Sequence, residues 1–219
     1  MSLQTIIDNA TFLNINKRRV VASSISRSGH YKTAERSPSP YSFTVGAPQG
    51  FTYSTNRGVL EDLDSTDRIT EVQINIGATN SALSYLTDYQ GSLNTSQVGQ
   101  ITLNSVSGAN IYLDTTSVSG SPSGDMFKKG DFILLEGNTS TYRYPYQVTS
   151  DIAFSGGNVT VPVHRPVLSQ TGVALTSGGI AVGNNVTFQV KCVNMPTYTV
   201  VPHDLVEFSD NFEFIEVII

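Results

Sequence analysis

The feature that most constrains this chain is a strict alternation of apolar and polar side chains in short runs, cut apart by Gly, Pro, Asn and Ser. Residues 71–77 (EVQINIG) alternate strictly, 186–193 (VTFQVKCV) alternate as far as Cys192, and Tyr41, Phe43 and Val45 fall on one side of 41–45. In the closing run, Phe212, Phe214, Glu216 and Ile218 share one face, and Glu213, Ile215, Val217 and Ile219 share the other. Side chains that change face at every residue describe a strand with one wet side, so the expected class is mainly β and antiparallel. An apolar strand at the end of the chain is a hazard if its edge is free, so it is expected to pair inside the sheet or with a neighbouring chain.

The chain is long enough to bury a real core, at 219 residues with 39% hydrophobic and 14% charged side chains, a balance that argues against disorder. One cysteine excludes an intrachain disulfide and any multi-cysteine metal site. Cys192 shares a face with Phe188 and Val190 and is expected to be buried and inert.

Two segments read as helix. Ser2 can cap a short one over 2–10, with Leu3, Ile6 and Ile7 on one side. The stronger one starts at Thr55 or Asn56 and runs to about Arg68, with Leu60 and Leu63 inward and Glu61, Asp62, Asp64 and Asp67 outward. Those carboxylates lie on a helix rather than in a Gly-containing ligand loop, so they fan apart as a solvated acidic face or as a landing site for a basic partner surface.

Between them, Phe12–Asn16, Arg19–Ser26 and the stretch from Tyr31 read as strands, with a turn at Ser28–Gly29. Five strand signals within 97–168 are separated by Gly/Ser/Asn turns and read as an inserted small β-barrel. Pro145 and Pro162 place their strands at edges or bulges. The flanking segments 1–96 and 169–219 resemble each other in style, so the expected organisation is one discontinuous β domain carrying the insert.

Functional motifs are sparse. No run is long and apolar enough to cross a membrane as a helix, and the first residues lack a signal-peptide pattern, so intracellular synthesis is expected. His30, His164 and His203 are isolated in sequence, without zinc-site spacing. No nucleophile elbow, phosphate loop or dinucleotide fingerprint occurs, which leaves no catalytic, metal or cofactor expectation. Charge is asymmetric: residues 1–40 carry six basic side chains against two acids, and the last twenty carry five acids and no base. The basic residues lack interleaved aromatics and the chain is acidic overall at −5, which favours a basic edge meeting an acidic edge over nucleic-acid recognition.

Several strings resemble small virion structural proteins of contractile-tailed bacteriophages of the cyanophage type. They are Ile6–Ala10, Ile15–Gly29, Tyr41–Val45, Leu60–Asp64, Phe127–Asp131, Tyr144–Val148 and Phe212–Val217. The resemblance implies a tail-tube-like antiparallel β-sandwich with one flanking helix. It further implies a homo-oligomeric ring, taken as a hexamer, at the baseplate end of a tail tube, in contact with other tail proteins. Such a subunit is made in the host cytoplasm and resides in the virion, with no membrane contact and no cofactor, and DNA passes its acidic lumen without being read. On this reading the subunit interface sets Lys17, Arg18 and Arg19 against Glu213 and Glu216, with Glu61, Asp62 and Asp64 as a further acidic patch. The alternatives are a host-surface or carbohydrate-binding module, in which ten Tyr and many Ser, Thr and Asn build a polar recognition face, and a neck or head-decorating protein.

Overall fold

Alternation does become sheet. The computed structural model describes residues 2–17, 21–35, 40–65, 70–78, 83–120, 122–136, 144–169 and 178–218. In chain order, the first elements are α1 (Ser2–Asp8), β1 (Leu13–Asn16), β2 (Val21–Ile25), β3 (Tyr31–Glu35), β4 (Ser42–Val45), α2 (Tyr53–Ser65), β5 (Val72–Ile74) and α3 (Thr95–Val98). Then follow β6 (Thr102–Ser107), β7 (Asn110–Asp114), β8 (Asp125–Phe127), β9 (Phe132–Leu135), β10 (Tyr146–Gln147), β11 (Ile152–Ala153) and β12 (Asn158–Pro162). The last are β13 (Ile180–Val182), β14 (Phe188–Asn194), β15 (Tyr198–Val201), β16 (Leu205–Phe208) and β17 (Phe212–Glu216). The protein is mainly β, and every strand pair is antiparallel.

The largest sheet has the order β1-β4-β17-β14-β5. Strand β17 lies between β4 and β14, with Phe214 opposite both Phe43 and Cys192, so the closing apolar strand has no free edge. Its inward face is Phe212, Phe214 and Glu216. Helices α1 and α2 supply Leu3, Ile6, Ile7, Leu60 and Leu63 to the same core as Phe43, Val45, Ile74, Phe188 and Val190. At the β5 edge the Gln4 side-chain amide imitates a neighbouring strand. Its Nε2 donates to the Asn75 carbonyl and its Oε1 accepts from the Asn75 N–H, both at 2.8 Å. Satisfying both backbone groups with one side chain blunts an edge that would otherwise template further pairing.

Helix α2 begins earlier than the sequence predicts, and its cap comes from elsewhere in the chain. Asp204, in the β15–β16 turn, accepts the Ser54 N–H at 2.9 Å on Oδ1, and the Ser54 hydroxyl donates to Oδ2. The Asp204 carbonyl also accepts the Tyr53 N–H at 2.9 Å. This service places His203 and Asp204 at φ 72° and 64°, a left-handed conformation that Asp tolerates better than most side chains. Thr55 and Asn56, the expected caps, lie inside the helix.

A second core gathers Leu103, Ile111, Leu113, Met126, Phe127, Tyr144, Tyr146 and Val161, among others. Around it stand three sheets, β12-β7-β6, β10-β9-β13 and β11-β8. Their edges touch through isolated contacts, a Val148–Val163 bridge and a Leu103 N–H donating to the Gly178 carbonyl at 2.7 Å. Among the described residues no barrel closes: the β10–β12 seam is one bridge flanked by two backbone hydrogen bonds, Thr149 N–H to the Pro162 carbonyl and His164 N–H to the Gln147 carbonyl, each 3.0 Å, rather than a continuous ladder. Strand β13, which completes the β9 sheet, also comes from beyond residue 168. Both Pro-bearing segments lie where expected: β10, which follows Pro145, and β12, which ends at Pro162, are outer strands of their sheets.

Strand β9 joins the two cores. All four of its side chains are buried; Phe132 and Leu134 enter the first core, and Ile133 and Leu135 enter the second. Neighbouring β13 divides likewise, with Ala181 in the first core and Ile180 in the second. A continuous apolar run such as 132–135 is what a strand with two dry faces requires.

Candidate functional site

Two places stand out chemically, one inside and one outside. Inside, β17 and the segment after β12 meet at a buried ion pair. Arg165 Nη1 and Nη2 donate to Glu216 Oε2 and Oε1, each at 2.6 Å, and their side chains are 2% and 0% exposed. Nη2 also donates to the Pro145 carbonyl at 3.1 Å, and Glu216 Oε2 accepts the Tyr41 N–H at 3.0 Å. The guanidinium lies over the rings of Tyr41 and Tyr146, 5.2 and 5.4 Å from their centres. Burial works against the Arg165 charge, and the hydrogen bonds and Coulomb attraction of Glu216 outweigh it, so the pKa is raised. Burial likewise raises the Tyr41 phenol far above its ordinary value.

This junction corrects the expected interface. Glu216 is on the inward face and fully covered, so it belongs to the interior and not to a contact between copies. The alternation that put Glu216 beside Phe212 and Phe214 already implied it. A carboxylate there requires a buried cation, and Arg165 was the residue that sequence reasoning passed over. Lys17 is exposed, and desolvation together with the Lys129 charge lowers its pKa. Arg18 and Arg19 lie outside the described residues. Glu213 is exposed, as are Glu61, Asp62 and Asp64 on α2.

Outside, two surfaces of opposite sign are built. The first is the β2–β3 hairpin, with Ile25 opposite Tyr31 and Ser24 opposite Lys32. Its turn closes through Ser26 N–H donating to the His30 carbonyl and Gly29 N–H to the Ser26 carbonyl, both at 2.9 Å, with Gly29 at φ 80°. Of the described side chains in the two strands only Ala22 is half-buried; Ile25 is 72% and Tyr31 66% exposed. Arg27 lies in the turn beside that apolar pair, Lys32 points to the opposite face, and residues 25–32 contain no acid.

The second surface is acidic. Helix α2 carries Glu61, Asp62 and Asp64 outward, with Arg57 one turn earlier. The β15–β16 hairpin packs beside it: the Tyr198 hydroxyl donates to Asp64 at 3.3 Å, and Phe208 meets Phe51 with ring centres 6.0 Å apart. Glu207 and Asp210 extend the negative charge, and Val200 and Leu205 are exposed apolar side chains among them. A groove of about 480 Å³ opens here, between Ala47–Gly50 and Leu205–Phe208.

A larger open groove of about 620 Å³ is lined by Asp88, Tyr89, Gln90, Asn94, Glu136 and Asn184, among others. Burial raises the Tyr89 pKa to about 12, and its hydroxyl donates to the Met126 carbonyl. The three histidines are dispersed: His30 and His203 are exposed in separate turns, and the His164 ring packs 5.1 Å from Tyr41 with Nδ1 accepting the Gln147 N–H. Among the described residues no three His, Cys, Asp or Glu side chains gather to hold a metal. Cys192 is buried and its thiol donates to the Asn194 carbonyl. No described helix is long and apolar enough to cross a membrane. No protein-family model and no curated protein matches the chain.

Proposed function

We propose that this chain is a structural subunit of a bacteriophage tail, a ring component at the baseplate end of a tail tube that works by assembly. The supporting observation is the β2–β3 hairpin. It exposes Ile25 and Tyr31 side by side and buries little in its own chain, although an isolated two-stranded hairpin is marginal in water. Such an element is stabilised by a surface elsewhere. The five-stranded sheet is the part of the chain that this reading assigns to the tail-tube-like sandwich, with two helices, α1 and α2, against its core where the resemblance implies one.

The test is compositional and positional. Purified particles of a phage encoding this chain are analysed by mass spectrometry, and the chain is located on them with a gold-labelled antibody. The reading expects stoichiometric incorporation and label at the baseplate end of the tail; absence from particles overturns it.

A second reading, recognition of host-surface carbohydrate, draws on the open groove with its amides, two carboxylates and the Tyr89 ring. Label at fibre tips together with saturable glycan binding selects that reading.

A further inference from the structure

We infer that the basic β2–β3 hairpin of one copy docks on the acidic face formed by α2 and the β15–β16 hairpin of a second copy. This rests on the assembly reading above and gives it a specific pair of surfaces. Three observations carry it. The hairpin tip presents an exposed apolar cross-strand pair, Ile25 and Tyr31, with Arg27 in the adjoining turn and Lys32 on the opposite face. The other surface presents exposed Leu205 with Glu207 on an open groove, next to α2, which carries Glu61, Asp62 and Asp64 outward. The two are complementary in charge and both hold apolar side chains in water, which is the composition of an apolar centre with a charged rim.

A second copy is the occupant because the same chain carries both halves. A contact between two different patches of identical subunits is heterologous, so it propagates head to tail and closes into a ring when the rotation allows. A self-pairing, two-fold contact of either patch would instead set like charges against each other. The edge of β17, an obvious route for joining sheets, is unavailable because both its sides are paired within the chain. Side-chain docking of the hairpin needs no free sheet edge.

The experiment is sedimentation velocity on the full-length chain, treated with nuclease, at low and high salt. Wild type is expected to self-associate in a salt-sensitive way. Arg27→Glu with Lys32→Glu on one chain is expected to weaken association by more than about tenfold, because like charges then meet. Glu61→Lys with Glu207→Lys should do the same, and an equimolar mixture of the two variants should recover association between unlike copies. Unchanged melting temperatures, expected for exposed positions, show that the variants remain folded.

Association of both variants at wild-type strength overturns the inference and leaves the assembly reading standing. Failure of the mixture to associate, wild-type chains that stay monomeric at their solubility limit, or association abolished by nuclease also overturns it. Absence of the chain from virions is the separate result that defeats the assembly reading itself.

Discussion

At the residue scale, the Arg165–Glu216 pair shows how an interior tolerates charge. Both ions are out of water, held by two short hydrogen bonds to each other, one from Nη2 to a backbone carbonyl and one from a backbone N–H to Glu216 Oε2. Glu216→Ala would leave a buried guanidinium uncompensated and is expected to cost about 3–5 kcal/mol in urea unfolding. The double variant Arg165→Met/Glu216→Leu should recover most of that loss, since well-packed apolar side chains can replace a buried pair. A Glu216→Ala protein as stable as wild type would contradict the geometry. The Tyr41 hydroxyl is buried without a hydrogen-bond partner. Tyr41→Phe should therefore be neutral or stabilising by up to about 1 kcal/mol, again read by urea. Glu216 was legible as an inward residue from its neighbours Phe212 and Phe214. Its partner was not, because 51 residues separate Arg165 from it.

The phenols add a pH dependence at the same scale. Tyr41 and Tyr89 both have raised pKa values, chiefly from burial, against an ordinary 10.0. Below pH 10 the folded and unfolded chains hold these protons equally. Above it the unfolded chain releases protons that the folded chain keeps, so stability falls, for Tyr89 through about pH 12. Phenolate absorbance should show these two lagging behind the exposed tyrosines until unfolding releases them. Ten tyrosines titrating together near pH 10 in a still-folded chain would refute this.

At the element scale, α2 was legible in its apolar side chains and not in its start. Leu60 and Leu63 face the core as their spacing predicts. The cap could not be read locally, because Asp204 reaches Ser54 across 150 residues of sequence. Asp204→Ala removes the cap and puts an alanine at φ 64°, so a loss of about 1–2 kcal/mol is expected from thermal unfolding. Asp204→Asn keeps an acceptor and tolerates that backbone, so it should lose distinctly less. Equal effects would mean that the capping bonds carry no weight. Strands β8, β11, β13 and β16 escaped the sequence pattern for a related reason. The first three have three residues or fewer, too few for alternation to register, and their partners are distant in sequence. In β16 Val206 and Phe208 share the inward face, but Leu205 lies outward beside Glu207, so the four-residue run lacks the alternation that marked β17.

At the scale of the whole molecule, the discontinuous organisation meets a shared wall. Strand β9 gives one face to each core, and β13, outside 97–168, is hydrogen-bonded to it. Excised residues 97–168 would expose Phe132 and Leu134 and lose the β13 ladder. That fragment is expected to show no cooperative unfolding by circular dichroism, while the full chain unfolds in one transition. A fragment with its own sharp transition would contradict the shared wall. The expected charge asymmetry survives in part: the acidic side is exposed on α2 and β16, whereas Glu216 has moved to the interior and the described basic contribution is concentrated at the hairpin tip.

On the proposed reading the molecule acts by joining copies of itself through that hairpin. The most direct measurement is an electron cryomicroscopy reconstruction of the assembled particle that resolves residues 21–35. A closed ring is expected, in which Ile25 and Tyr31 lie against Leu205 of the next copy, with Arg27 among its carboxylates. A ring in which the hairpin faces solvent while copies meet elsewhere would contradict it.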